Sequence, residues 1–442
     1  MNKSVVKGFS KLSKDAKIQW VANKYFDGDD SCIDLLKSYW HSDKKIQKIH
    51  DEFIENTITN FYIPFGIAPN FLINNEIFCV PMAIEESSVV AAAAKNASFW
   101  FSRGGFKAEV ISTIKIGHVH FAWYGKYETL KTFFDKIKEK FISGTNKLTS
   151  NMRKRGGGIL DIQLINKTHL EPNYYQISAK FETCEAMGAN FINSILEEFS
   201  QILQNELANS SLSETDKKIV IIMCILSNYT PECLVKAEVE CHIDELTEGT
   251  NMSPKEFALK FEQAIHVANI EPYRATTHNK GIFNGIDAVV IATGNDFRAI
   301  EACGHTYASR DGQYRSLTKV NVSNDIFNFS IEIPLALGTI GGLTSLHPMV
   351  KFAHKLLGNP NSKQLMKIIA SVGLAQNFGA IRSLVTTGIQ KGHMKMHLLN
   401  ILNQLGASEE EKINVKAYFS DKVVAHKDVV NYFYSLREKS FK

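Results

Sequence analysis

The chain contains no CxxC pair, no GxGxxG run and no low-complexity tract. It also lacks any apolar stretch approaching the ~20 residues that cross a bilayer. The longest, Ile219–Leu226, is far shorter. The opening segment MNKSVVKGFSKLSKDAK has no signal-peptide core, so a soluble chain without a membrane partner is expected. Seven cysteines, an odd number at wide spacing, exclude a disulfide framework or zinc ribbon and point to reduced thiols in a cytoplasmic protein. Excess charge is lacking too: 50 Lys and Arg stand against 46 Asp and Glu, a net +4. No concentrated basic field argues for nucleic acid. The short run Arg153, Lys154, Arg155 reads as a solvated loop on charge pattern alone.

What is present suffices for more than one core: 442 residues, 44% hydrophobic, imply two or three domains. Residues 1–50 read as helical, and residues 54–78 as short strands and turns around Pro64, Pro69 and Asn74-Asn75. Residues 85–100 read as a helix opened by Glu85 and Glu86. From 108 the pattern alternates, then runs strand, helix, strand, strand, helix, strand to about 226. KIVIIMCIL reads as a buried strand. Beyond 230 the chain is helix-rich with one strand-like insert at 319–333. The fold class is α+β, with a small sandwich inserted into a larger, helix-rich domain.

The chemistry concentrates around Lys280. PYRATTHNKGIFNGIDAVVIATGNDFRAIEA crowds Arg274, His278, Asn284, Asp287 and Asp296 around it. The VVIA stretch should be buried, and a lysine beside a buried strand is desolvated. An ammonium aimed at a carbonyl stabilises an oxyanion; on composition alone, a polar loop with an exposed lysine is the better fit. Glu85 and Glu86 suit a helix N-terminus or a general acid. His393 and His397, four apart, share a helix face, but neither is followed by the glutamate of a metalloprotease motif, and no metal is expected. CEAMGANFIN (184–193) and LGTIGGLTSLHP (337–348) are glycine-rich turns that could open onto a phosphate or simply turn the chain.

In order, ENTITNFYIP (55–64), VPMAIEESSVVAAAA (80–94), CEAMGANFIN, the segment at 271–302, LGTIGGLTSLHP, GLAQNFGAIRSL (373–384) and QKGHMKMH (390–397) resemble the signature segments of hydroxymethylglutaryl-CoA (HMG-CoA) reductases, in the form of the soluble bacterial class II. The resemblance implies a large substrate domain (1–112 and 227–388), an inserted ferredoxin-like, non-Rossmann dinucleotide-binding domain (113–226) and a C-terminal helical flap (389–442). It implies reduction of the HMG-CoA thioester to mevalonate and CoA with two NAD(P)H, for isoprenoid synthesis, in a homodimer or an oligomer of dimers. A silent CoA- or nucleotide-binding relative is the alternative, and would be expected to have lost a catalytic position.

Residue by residue, Glu86, Lys280, Asp296 and His393 match the catalytic set, with Asp296 tying lysine and glutamate together and His393 protonating the CoA thiolate. Arg274, Ser88 and Asn284 match substrate-binding positions. Glu182, Glu185, Met187, Gly188 and Asn190 fall where the dinucleotide is expected. A carboxylate at Glu182 would accept from a ribose 2′-hydroxyl and repel a 2′-phosphate, favouring NADH; Arg153, Lys154 and Arg155 could instead hold that phosphate.

Overall fold

A computed structural model describes residues 5–386, 398–399, 401–419, 422 and 424–440. Three N-terminal helices, α1 (Lys14–Tyr25), α2 (Asp30–Ser38) and α3 (Lys44–Asp51), start where Ser13, Asp29 and Asp43 accept from the first free amides. Strands β1 (Phe65–Ile73) and β2 (Glu76–Ala83) then form a hairpin. Its two-residue turn is Asn74-Asn75, at φ 48° and 68°, a left-handed pair that asparagine tolerates. Helix α4 (Val89–Phe101) follows. Glu85 and Glu86 precede it in a bend rather than lying in its first turn, because Ser88 takes φ 74° and sets the start at Val89.

Strand β3 (Lys107–Val110) belongs to one sheet and β4 (Lys115–Trp123) to another. The chain then runs α5 (Tyr127–Gly144), α6 (Asn146–Lys154), β5 (Gly158–Asn166), β6 (Tyr174–Glu182), α7 (Ala189–Ala208) and β7 (Ile219–Leu226). Strands β4 to β7 form an antiparallel sheet in the order β5-β6-β4-β7. Their inward residues, with those of α5 and α7, make a core of their own, including Trp123, Phe141, Phe181 and Phe199. Strand β7 differs from the reading of KIVIIMCIL. It is an edge strand, and Val220, Ile222, Met223 and Ile225 are exposed.

The rest of the chain completes the larger core. It comprises β8 (Leu234–His242), α8 (Pro254–Ile270), α9 (Pro272–Ala292), α10 (Phe297–Ala308), β9 (Thr318–Ser323), β10 (Ile326–Pro334), α11 (Leu343–Leu346), α12 (Pro348–Leu356) and α13 (Ser362–Val385). The sheet order is β3-β8-β10-β9, antiparallel throughout. Sequence reading missed β8 and took β9 and β10 as one strand-like insert. Helix α13 is long and apolar enough to cross a membrane by composition, but 67% of that stretch is buried inside this protein. It is apolar because it is a central helix of the core, packed by Phe378 against Phe99, Trp100 and Phe261.

The two cores meet at a narrow seam. Ile111 N–H donates to Leu234 O (2.8 Å), Leu234 N–H to Ser112 O (2.9 Å) and Ser227 N–H to Ile116 O (2.9 Å), so the outgoing and returning strands are laced side by side. A third, small cluster joins Leu398, Ile401 and Leu402 to the helices Glu409–Tyr418 and His426–Ser440. His393 and His397 lie outside the described residues.

Candidate active site

Helix α9 carries the site. Glu271 caps it, accepting from Tyr273 N–H (2.9 Å) and Arg274 N–H (2.7 Å), and Pro272 occupies the first turn, where no amide is needed. The apolar residues Val289, Val290 and Ile291 therefore lie in a helix, not in a buried strand. One face, with Ala275, Ile282, Phe283, Ile286 and Val289, enters the core. The other face presents Lys280, Asn284, Asp287 and Ile291, at steps of four, three and four, to a cavity of about 950 Å³.

A buried polar cluster holds the helix beside Lys280. Asn279 donates to Arg315 O (2.8 Å) and accepts from Leu317 N–H (3.0 Å). His278 Nε2 lies 2.7 Å from Thr318 Oγ1 and 2.9 Å from Ser316 Oγ. Thr318 donates on to Asn377 Oδ1 (3.0 Å). Burial, reinforced by the nearby Arg274 charge, pushes His278 down to about 3, so it stays neutral. Its part is structural.

The opposite wall is the bend between β2 and α4. Lys280 Nζ donates to Glu86 Oε2 at 2.6 Å across 194 residues of sequence. Their side chains are 60% and 38% exposed, so the desolvated lysine suggested by the sequence is replaced by an accessible ion pair at the cavity mouth. Asp296 lines the same cavity but is otherwise engaged. It caps α10, accepting from Arg298 N–H (3.1 Å) and Ala299 N–H (3.3 Å), and pairs with the Arg298 guanidinium at 3.1 Å. Of the expected catalytic set, the fold thus brings Glu86, Lys280 and Asp296 to one cavity, with Lys280 bonded to Glu86.

Asn284 also lines it, whereas Arg274 and Ser88 do not. Arg274 is half-buried, and burial lowers its pKa. Two further carboxyls face inward: Asp287, read from the sequence only as part of a polar crowd, and Glu301, which went unread. The signal for both was helical register, Asp287 two turns from Lys280. Burial first, then the facing Glu301 carboxyl, pushes Asp287 up to about 8.

The residues expected at a dinucleotide gather at the turn from β6 into α7. Gly188 takes φ 90° and leaves the helix N-terminus without a side-chain cap. A Cβ there would meet Thr183 Cγ2 at 2.5 Å, so the position needs glycine on both counts. Asn190 is exposed in the first turn of α7, and the Met187 amide packs on Gly338. Glu182 and Glu185 are both already engaged. Glu182 accepts from the Thr113 hydroxyl and from Cys184 N–H (2.7 Å). Glu185 accepts from Thr339 Oγ1 (2.8 Å) and Ser362 N–H (2.6 Å), tying the small sheet to the first turn of α13. Cys184 Sγ reaches Arg155 O at 3.2 Å, which places the basic run beside this turn.

The chain matches the family described as Hydroxymethylglutaryl-coenzyme A reductase over residues 16–398. The 3-hydroxy-3-methylglutaryl-coenzyme A reductase of Archaeoglobus fulgidus is 34% identical over 92% of this chain and 89% of its own length. A probable reductase of Borreliella burgdorferi is 32% identical over 98% and 95%. The class II reductase of Streptococcus pneumoniae, solved bound to NADPH in open conformations, superposes with a TM-score of 0.71 at 35% identity, covering 92% of this chain and 99% of that one. With the family matched across nearly the whole fold, and the lysine–glutamate pair in place, the chain belongs to the hydroxymethylglutaryl-CoA reductases and is an NAD(P)H-dependent oxidoreductase.

Proposed function

We propose that the cavity between α9 and the β2–α4 bend reduces the thioester of HMG-CoA to the alcohol of mevalonate, with Lys280 as the oxyanion holder. The observation that carries this is the 2.6 Å contact of Lys280 with Glu86 at the cavity mouth. Bound nicotinamide supplies the two hydrides. As the first arrives, the thioester oxygen gains charge, and the Lys280 ammonium stabilises it. The hemithioacetal then collapses to an aldehyde and a CoA thiolate. His393, on the segment outside the described residues, protonates that thiolate. The second reduction leaves an alkoxide, and the Lys280–Glu86 hydrogen bond is the route by which it acquires a proton. Asp296 fixes the start of α10 and the position of Arg298 beside the site. Asn284, in the cavity wall, orients the reacting carbonyl; Arg274 and Ser88, outside that wall, are assigned to the substrate carboxylate on their match to the family's motifs alone.

Apart from the extra helix α6, the unit 113–226 follows the βαββαβ order of a ferredoxin-like module, and we assign the dinucleotide to it. Its fit rests on the uncapped start of α7 at Gly188, whose free amides suit a pyrophosphate. Met187 and Asn190 flank that site; Glu182 and Glu185 shape it from behind. Because Glu182 is committed to Thr113 and Cys184, Lys154 and Arg155 decide the cofactor, and NADPH is preferred over NADH. Residues 389–442 form the flap. Exposed Phe61 (90%), Tyr62 and Ile63 beside the cavity fit burial in a homodimer. The setting is a reducing cytoplasm, and no metal takes part.

The test is absorbance of reduced cofactor with purified protein and HMG-CoA, with NADH and NADPH in parallel. Oxidation that depends on the acyl-CoA and is faster with NADPH is expected. No oxidation with either cofactor would refute the reading.

A further inference from the structure

The cavity wall is more acidic than its substrate should tolerate. Glu85, Glu86, Asp287, Asp296 and Glu301 line it, against Lys280 and Arg298 as its cations. Fully ionised, that lining would carry three net negative charges, five less two. An acyl-CoA with a free carboxylate and phosphates is itself an anion, and the reaction builds further negative charge on its carbonyl oxygen. Glu86 is neutralised by Lys280 and Asp296 by Arg298. Among the described residues, Glu85, Asp287 and Glu301 have no such cation, and of these Asp287 and Glu301 lie on adjoining helices.

Their placement explains how they coexist. Asp287 lies on α9 one turn beyond Asn284, and Glu301 on α10 one turn beyond Phe297, so both point into the groove where the two helices meet. Both carboxyls line the same wall of the cavity, and the facing Glu301 carboxyl, after burial, raises the Asp287 pKa. Asp287 Oδ1 is sealed from solvent with no partner among the described residues. Like charges set together in a partly buried wall disfavour double ionisation, and one proton held between them relieves both.

The groups facing the pair are few. From α10 they are His305, with Asp296 and Arg298 at its start; from α9, Lys280; from the β2–α4 bend, Glu85 and Glu86. His305 Nδ1 is turned to the Tyr314 hydroxyl at 2.7 Å, and burial lowers its pKa, so it is no standing cation. Among the described residues, α8, α12 and α13 contribute no charged side chain to this cavity.

We propose that Asp287 and Glu301 share one proton in the wall of the catalytic cavity, and that this proton keeps an extra negative charge away from the bound acyl-CoA and its developing oxyanion. They are positioning residues for charge. The proton stays on the pair through turnover and enters no bond to substrate. The inference rests on the functional reading above for its consequence, but not for the protonation itself.

Two measurements test it on the full-length protein. The first is infrared spectroscopy of the carboxyl C=O band. Wild type should show a protonated-carboxyl band at neutral pH that fades above about 8. Asp287→Asn and Glu301→Gln should each remove it. The second is the pH profile of kcat/KM for HMG-CoA. Wild type should lose about tenfold per pH unit beyond the same midpoint, and in both variants that limb should move upward by about one unit or more. A merely structural role would lower activity without moving the limb. A wild type without the band, or a limb unmoved in both variants, overturns the proposal. If no cofactor is oxidised at any pH, the functional reading fails, and the infrared band still decides the pair.

Discussion

Replacing Glu185 separates two roles that a carboxylate at this turn could have. The structure commits it to Thr339 Oγ1 and to Ser362 N–H, the first amide of α13. Each charge-assisted hydrogen bond contributes about 1.5–3 kcal/mol when its partner would otherwise be stranded. A negative charge at a helix N-terminus adds about 0.3–1 kcal/mol. Both bonds are only partly buried, so the lower ends apply, and Glu185→Ala should cost about 3 kcal/mol. Glu185→Gln keeps one acceptor oxygen and loses the charge, and should cost about half of that. The assay is urea unfolding followed by both tryptophan fluorescence and the KM for NADPH. The tie joins two cores, so the small unit should unfold earlier in Glu185→Ala, splitting a transition that the wild type makes together. KM should rise only in proportion to the loss of rigidity, with Gln rescuing most of it. An unchanged unfolding curve with a large, Gln-insensitive rise in KM would mean that Glu185 touches the cofactor directly, and would refute the structural assignment.

Lys280→Ala should leave the unfolding midpoint nearly unchanged, because the side chain is 60% exposed, while kcat falls by about 10²–10³-fold, as for loss of an oxyanion donor. Gly304→Ala would drive a Cβ into the buried Phe283 ring, and should destabilise by about 1–3 kcal/mol in equilibrium unfolding. His278 binds a proton less readily folded than unfolded, its value falling from 6.5 to about 3. The unfolded state therefore takes up more protons across that window, and stability drops as pH falls through it. Wild type should lose stability between pH 7 and pH 4 by a few kcal/mol more than His278→Gln, which has no proton to gain; equal losses in urea titrations would count against a buried neutral histidine. Ser316→Ala, which removes the side-chain acceptor of the Thr318 amide and one of the two hydroxyls at His278 Nε2, should cost about 1–3 kcal/mol.

Local patterning was most legible where one face is buried and the other wet. The alternation along β4 and β6, buried at every second residue, was readable directly. So was the Asn74-Asn75 turn. Strand β8 was not, although LVKAEVECH alternates equally well, because its outward Lys236, Glu238 and Glu240 resemble a solvated helix face. Strand β7 was misjudged for the opposite reason: its outward residues are apolar but remain exposed at the sheet edge. Helix α9 begins with threonines, an asparagine and glycines, all weak helix formers, and tertiary packing overrides them. Gly285 lies against Val372 and Gln376 of α13, where a Cβ would crowd both, so the glycine serves close helix approach. At the site, the motif residues were legible as a set. Their mutual bonds were not, since the partners of Lys280 and Asp296 depend on where a distant bend and a helix cap fall. The Asp287–Glu301 pair crosses two helices and leaves no mark on local composition.

The seam between the two cores has a consequence for engineering. Val110 and Val235 stand directly opposite one another at the end of the β3–β8 ladder, and everything between them leaves and returns through that point. Seen from the larger core, residues 111–232 are one long hairpin loop, while Cys233 and Leu234 still pack on that core and pair with Leu335 and Pro334. An Asn-Gly turn in place of that loop would close the ladder. The excised protein should keep the β3-β8-β10-β9 sheet and the Lys280–Glu86 contact, giving a scaffold onto which a nucleotide-binding module from another relative could be spliced between Val110 and Cys233.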